Sequence, residues 1–254
     1  MLASRNDRPM TYQPFFLHGP ERPSRWLITC DHATNVVPPD VNGGDLGLSH
    51  EDMNRHIAYD PGAYGVAHEL GELLNAPVIA ANFSRLVIDP NRGEDDPTLV
   101  MRLYDGSLIP ANRTVDRAEI QRRLNAYYRP YHNALAKLAA RDGTVIVAIH
   151  SFTPQFQGRP PRPWHVGVLF PADERFARPL IQRLHEEPGL VTGENEPYTG
   201  YLPGDAIDKH ATANGLPNAL IELRNDLIQG ARQQRDWAAR LVPILEDALT
   251  ESAL

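Results

Sequence analysis

The sequence predicts an α/β protein, a three-layer α/β/α sandwich around a mixed, mostly parallel sheet. Three observations carry that reading. Apolar runs alternate with helix-period segments along the chain, the pattern of a wound sheet covered on both faces. Runs such as VIVAI (145–149) and the apolar part of RWLITC (25–30) are continuous, as expected of buried strands. Polar residues with chemical capacity stand where these runs end: His32 after LITC, Asp89-Pro90-Asn91-Arg92 after RLVI, His150 after VIVAI, and Glu222 within ALIELR. Open α/β sheets bind ligands at the carboxyl ends of their strands.

The elements follow in order. Residues 1–24 are rich in Pro, Arg and polar side chains and read as an irregular arm, and 25–254 as a single catalytic α/β domain. After the strand 25–30, NVVPPDVNGGDLGLS is a turn-rich loop, and Ser49 followed by Asp52 marks a helix start. A helix over 61–75 takes Pro61 in its first turn and has Val66, Leu70, Leu73 and Leu74 at helical spacing. PVIAAN and SRLVIDP read as strands. The helix over 116–141 begins at Asp116, and Pro130 should kink or split it. The strand 144–149, the strand HVGVLF, the helix ADERFARPLIQRLHEE, the strand NALIEL and a terminal helix over 230–252 complete the chain.

The 254 residues suit one large domain, and 42% hydrophobic with 22% charged content implies a substantial core. A net charge of −7 argues against nucleic acid as the main partner. No apolar run reaches the ~18 residues of a membrane span, and the N-terminus has no signal-peptide core, so no membrane partner and a cytoplasmic location are expected. The single cysteine, Cys30, sits inside an apolar strand and reads as a buried structural thiol. Oligomeric state has no signature in the sequence.

The residue types point to a hydrolytic metal site. Such a site commonly takes three ligands from His, Asp and Glu, and the metal lowers the pKa of water and polarises a carbonyl. His32 and His150 are the nitrogen candidates, and Asp60 and Asp31 compete for the carboxylate place. Asp60 is favoured, because three separate segments surround an ion more easily than adjacent residues do. A carboxylate outside the ligand set can move the proton. Glu222 suits that role or an ion pair with Arg224 on the same strand face. Arg92 with Asn91 can grip a substrate carboxylate, or pair with Glu94, Asp95 or Asp96; Arg85 can bind substrate or brace Asp89. His210, in DKHATANG, joins Arg224 among the substrate-facing candidates and is the next choice for the base. His56 reads as a neighbour of the site or a solvated helix residue.

The motifs CDHATNVVP, HIAYDPGA, SRLVIDPNR, AIHS, RPWHVGVLF and GLPNALIELRNDLI, in this order and spacing, resemble the N-formylglutamate amidohydrolase family over about residues 25–230. The resemblance implies a phosphorylase/hydrolase-like, zinc exopeptidase-like sandwich, one Zn²⁺ or similar divalent ion, and hydrolysis of the amide of a small anionic N-acyl amino acid. It implies His32 and His150 at the metal, Asn91-Arg92 on the substrate carboxylate and Glu222 as base. The exopeptidase pattern His-x-x-Glu is absent, with Asn at position 35, and Asp60 resembles the acid that zinc amidases supply from the next helix. A hydrolase of another amide or peptide, or a non-catalytic binding protein of this fold, are the rival expectations.

Overall fold

The computed structural model describes residues 12–156, 158–252 and 254. In chain order the elements are β1 (Phe15–His18), β2 (Trp26–Cys30), α1 (His50–Met53), α2 (Ala63–Leu73), β3 (Val78–Ala81), β4 (Leu103–Tyr104), β5 (Ser107–Leu108), α3 (Arg117–Arg123), α4 (Arg129–Ala139), β6 (Val145–Phe152), β7 (Val166–Leu169), α5 (Ala177–Glu186), β8 (Thr192–Glu194), α6 (Ala206–His210), β9 (Asn218–Arg224) and α7 (Ala231–Glu251). The main sheet has seven strands in the order β1-β3-β2-β6-β9-β7-β8, and β4-β5 form a separate hairpin. Pairings from β3 through β2 and β6 to β9 are parallel, as is β7-β8, whereas β1-β3 and β7-β9 are antiparallel. The sheet is therefore mixed and mostly parallel.

Both faces of the central strands are buried, which explains why their sequences are continuously apolar. Ile28, Cys30, Val147, Ile149 and Ile221 pack with Val66 and Leu70 of α2, Leu180 of α5 and Leu241 of α7. Leu27, Ile146, Ala148 and Leu220 pack on the opposite side with Leu124, Tyr131 and Leu135. Strand periodicity then puts His150 and Glu222 on this second face, continuing Ile146-Ala148 and Leu220. The chain leaves β2 toward β3 and returns on the other side as β6, so a topological switch point lies at the ends of β2 and β6.

Two elements depart from the sequence reading, and the helix that contains Pro130 takes a form the reading allowed. Residues 15–18, assigned to the irregular arm, form the edge strand β1 paired with β3; residues 1–11 of that arm lie outside the described residues. At Pro130 the helix is interrupted, in keeping with the expected kink or split. A π-helical turn, Leu124–Tyr128, joins α3 to α4 through αR backbone angles. The wider turn absorbs a residue that has no N–H to donate. SRLVIDP is a buried loop rather than a strand. Its carbonyls are satisfied by side chains: Asn112 Nδ2 donates to Leu86 O at 2.8 Å, and Arg123 donates to Val87 O at 2.8 Å. His132 Nε2 reaches Pro90 O at 3.0 Å, and the Tyr128 hydroxyl donates to Arg92 O at 2.6 Å. With those partners supplied, the apolar run needs no neighbouring strand. No helix among the described residues is long and apolar enough to cross a membrane.

Candidate active site

His32 follows β2, His150 lies near the end of β6, and Asp60 stands just before α2. Asp60 N–H donates to His32 O at 2.9 Å, which ties the helix entrance to the end of β2. Gly62 caps α2 with φ +83, and a Cβ there would sit 2.2 Å from Ile228 O, so the turn that carries Asp60 into the site requires glycine.

One ligand atom from each of His32, Asp60 and His150 lies within 4.8 Å of the others, and all three residues are buried. Asp60 Oδ2 is 3.3 Å from His32 Nδ1 and 2.9 Å from His150 Nδ1. The outer nitrogens are held from behind: His32 Nε2 donates to Asp89 Oδ1 at 2.7 Å, and His150 Nε2 donates to Asp31 Oδ2 at 3.2 Å. Asp31 is fixed in turn by the Tyr131 hydroxyl at 2.5 Å, and Asp89 by Arg85, whose Nε and Nη2 donate at 3.2 and 2.9 Å. A carboxylate behind each imidazole sets the tautomer with the proton outward and the Nδ1 lone pair inward.

Two imidazole lone pairs and a carboxylate oxygen therefore face one point. Burial opposes charge on His150, but Asp31 and Asp60 raise its pKa well above the ordinary value. Burial also opposes ionisation of Asp60, yet the adjacent His32, His56 and His150 hold it well below the usual carboxylate range. The donor set, two imidazole Nδ1 atoms and Asp60 Oδ2, fits a divalent cation of the zinc type, while Asp60 Oδ1 faces His56 Nδ1 at 3.2 Å and Arg85 Nη1 at 3.6 Å.

Glu222 pairs with His150 in the β6–β9 register. Its carboxylate is 5% exposed, Oε2 has no hydrogen-bond partner, and burial pushes its pKa up to about 7. The surrounding cavity has a volume of about 270 Å³, and its wall includes His32, His56, Asp60, Arg85, Asn91, Arg92, Tyr104, His150, Tyr198, Asp205 and Glu222. That volume is of the size that holds one small molecule.

The other candidates divide. Arg92 lines the cavity, with Nη1 donating to Asn91 O and Nε to Thr98 Oγ1. Asn91 lines it too, with Oδ1 accepting from Ala206 N at 3.2 Å. Arg85 braces Asp89, as one of its two expected uses required. Arg224 is not in the cavity wall: its guanidinium is held by Asp226 at 2.8 Å and by the Trp164 carbonyl at 3.3 Å. His210 is also outside the wall. Its Nε2 donates to His132 Nδ1 at 2.7 Å, which supports the His132–Pro90 contact from behind. Asn35 donates to Met53 O, and Asp31 lies behind His150 rather than beside it. Cys30 is fully buried and burial pushes its thiol pKa far up, as a structural cysteine requires.

Tyr131, Tyr198 and Asp205 escaped the sequence reading. Tyr131 is at helical spacing from Leu135, the only available signal and one shared by any core position. Tyr198 and Asp205 come from a segment without periodicity.

A family model described as N-formylglutamate amidohydrolase matches residues 24–229. An N-formylglutamate deformylase of Pseudomonas aeruginosa is 33% identical over 208 residues, covering 72% of this chain and 73% of that protein. The crystal structure of gene product Atu2144 from Agrobacterium tumefaciens superimposes with a TM-score of 0.88 at 33% identity, covering 96% of this chain and 97% of the other. A crystal structure of N-formylglutamate amidohydrolase from Ralstonia eutropha JMP134 gives a TM-score of 0.70 at 22% identity, covering 94% and 99%, and at that identity supports the fold alone.

Proposed function

The chain belongs to the N-formylglutamate amidohydrolase family, and from that premise we propose that it is a metal-dependent amidohydrolase that releases formate from a small N-formyl amino acid. The observation that carries the reading is the convergence of His32 Nδ1, His150 Nδ1 and Asp60 Oδ2 in one cavity with the unpartnered carboxylate of Glu222 and with Arg92. His32, His150 and Asp60 would hold one divalent ion, zinc by donor type. When bound, that ion supplies Lewis acidity, polarising the formyl carbonyl and acidifying water.

The chain's own residues supply the rest. Arg92, with the Asn91 side-chain amide, takes the substrate carboxylate and so orients the formyl group. Glu222, with a pKa near neutrality, accepts the proton of the attacking water and hands it to the amino-acid nitrogen as the C–N bond breaks. A C–O bond replaces the C–N bond, and the products are formate and the free amino acid. Asp31 and Asp89 keep both imidazoles in the orientation that presents Nδ1. Burial of the site strengthens each of these electrostatic interactions.

The test is release of formate from N-formyl amino acids by the purified chain, with N-acetyl analogues alongside. Formate without acetate release supports a deformylase. Acetate release at equal rates supports a general acylase, and turnover of neither refutes the reading.

A further inference from the structure

We propose that helix α6 positions the substrate-carboxylate clamp, with His210 and Lys209 fixing the Asn91-Arg92 segment through His132 and Tyr128. The proposal rests on the deformylase reading above and concerns what sets the geometry of its anion clamp.

Pro90, Asn91 and Arg92 lie in a loop outside the sheet, so their polar groups take partners from elsewhere. Each of the three is held from α6 by its own route. At Pro90, the carbonyl accepts from His132 Nε2 at 3.0 Å, and His210 Nε2 donates to His132 Nδ1 at 2.7 Å. At Asn91, Ala206 N–H donates to the side-chain Oδ1 at 3.2 Å, which leaves Nδ2 as the amide atom able to donate to a carboxylate. At Arg92, the carbonyl accepts from the Tyr128 hydroxyl at 2.6 Å. Lys209 Nζ donates to that hydroxyl at 2.7 Å and lies 4.6 Å from the Tyr128 ring centroid. Arg92 Nη1 and Nε are fixed in turn on Asn91 O and Thr98 Oγ1, so a shift of this backbone carries the guanidinium with it.

The histidine pair is set in one tautomeric state. A carbonyl can only accept, so His132 carries its proton on Nε2 and presents Nδ1 as acceptor, and the His210 proton is on Nε2. The rings stack at 5.0 Å between centroids and 16° between planes, and both residues are buried. Burial and the nearby Lys209 lower the His132 pKa to about 3, and burial lowers that of His210 to about 4, so both rings are neutral at neutral pH. Neither ring lines the catalytic cavity, so the pair reaches substrate only through the loop. Apolar side chains would fill the same space without desolvating ring nitrogens; what the imidazoles add is a directed donor for Pro90 O.

The experiment measures kcat and KM for N-formyl-L-glutamate, together with bound zinc, in zinc-loaded wild type, His210→Leu, His210→Gln and Lys209→Met. His210→Leu removes the donor to His132, whereas the Gln amide can restore an N–H near the Nε2 position. His210→Leu and Lys209→Met are each expected to raise KM about tenfold with kcat changed less than about threefold, as when a binding group is misplaced. His210→Gln is expected to stay within about threefold of the wild-type KM. All variants should keep the wild-type zinc content. In an Arg92→Lys background His210→Leu is expected to add less than about twofold, because the clamp it serves is already lost. Unchanged KM in either folded variant overturns the proposal, as does a fall in kcat with KM unmoved. A KM rise undiminished in the Arg92→Lys background, or equal in His210→Gln and His210→Leu, also overturns it. If His210→Leu fails to fold, Lys209→Met decides by the same readouts. Formate release by wild type with KM unmoved in the variants leaves the deformylase reading intact. Wild type that turns over no N-formyl amino acid defeats that reading and this proposal with it.

Discussion

Replacing Glu222 by Gln should trade catalysis against stability. The carboxylate is 5% exposed and Oε2 has no partner, and its pKa rises from 4.5 to about 7 because burial penalises the charge. The folded state thus holds this proton more tightly than the unfolded chain does. Between about pH 4.5 and 7 the wild type loses stability as pH rises; above about 7 the penalty is complete, and below 4.5 it is absent. A rise of that size corresponds to roughly 3 kcal/mol. Glu222→Gln keeps the shape without the charge, so in chelated protein it should be more stable than wild type by up to roughly 3 kcal/mol at pH 8 and nearly equal at pH 4. Urea unfolding of both proteins at the two pH values measures the difference. Formate release under the same substitution should fall about 10²–10⁴-fold, with metal content retained. The wild-type rate should fall on the acid side as the base protonates, with a midpoint at or below about 7, since a bound cation favours the carboxylate. Wild-type turnover in the variant would move the base elsewhere. Loss of metal would make Glu222 a ligand. Equal stability at pH 8 would contradict the buried, unpaired carboxylate.

Three further outcomes follow from the same geometry. Arg92→Lys should raise KM at least about tenfold with a smaller change in kcat, because a point charge does not reproduce a guanidinium fork; steady-state kinetics in the folded variant decide it. Asp89→Asn removes the charge behind His32 Nε2 and should weaken metal affinity by about 10–100-fold, read by competition with a chelating dye. Gly62→Ala forces a Cβ to within 2.2 Å of Ile228 O at φ +83 and should cost more than about 1 kcal/mol in urea unfolding.

The parts legible in the sequence were those set by strand ends and apolar continuity. β2, β6 and β9 carry the apolar runs WLI, VIVAI and ALI, and the polar residues that follow them, His32, His150 and Glu222, converge because parallel neighbours share an edge. Asp60 was legible as the acid of a separate segment entering a helix. What stayed hidden depends on tertiary partners. SRLVI has strand composition, yet Asn112 and Arg123, far along the chain, satisfy its backbone and let it run as a loop. Arg224 shares a strand face with Glu222, but Asp226 and the Trp164 carbonyl hold it beyond the cavity. Tyr131 reaches Asp31 across 100 positions, and no local pattern announces such a contact.

Metal dependence is tested most directly by titration of the chelated enzyme. Zinc added to metal-free wild type should restore formate release linearly up to one equivalent per chain. His32→Ala and His150→Ala should neither bind the ion with comparable affinity nor recover activity. Full turnover by rigorously metal-free protein, or stoichiometric reconstitution that is indifferent to loss of both histidines, would contradict a metal site at His32, Asp60 and His150.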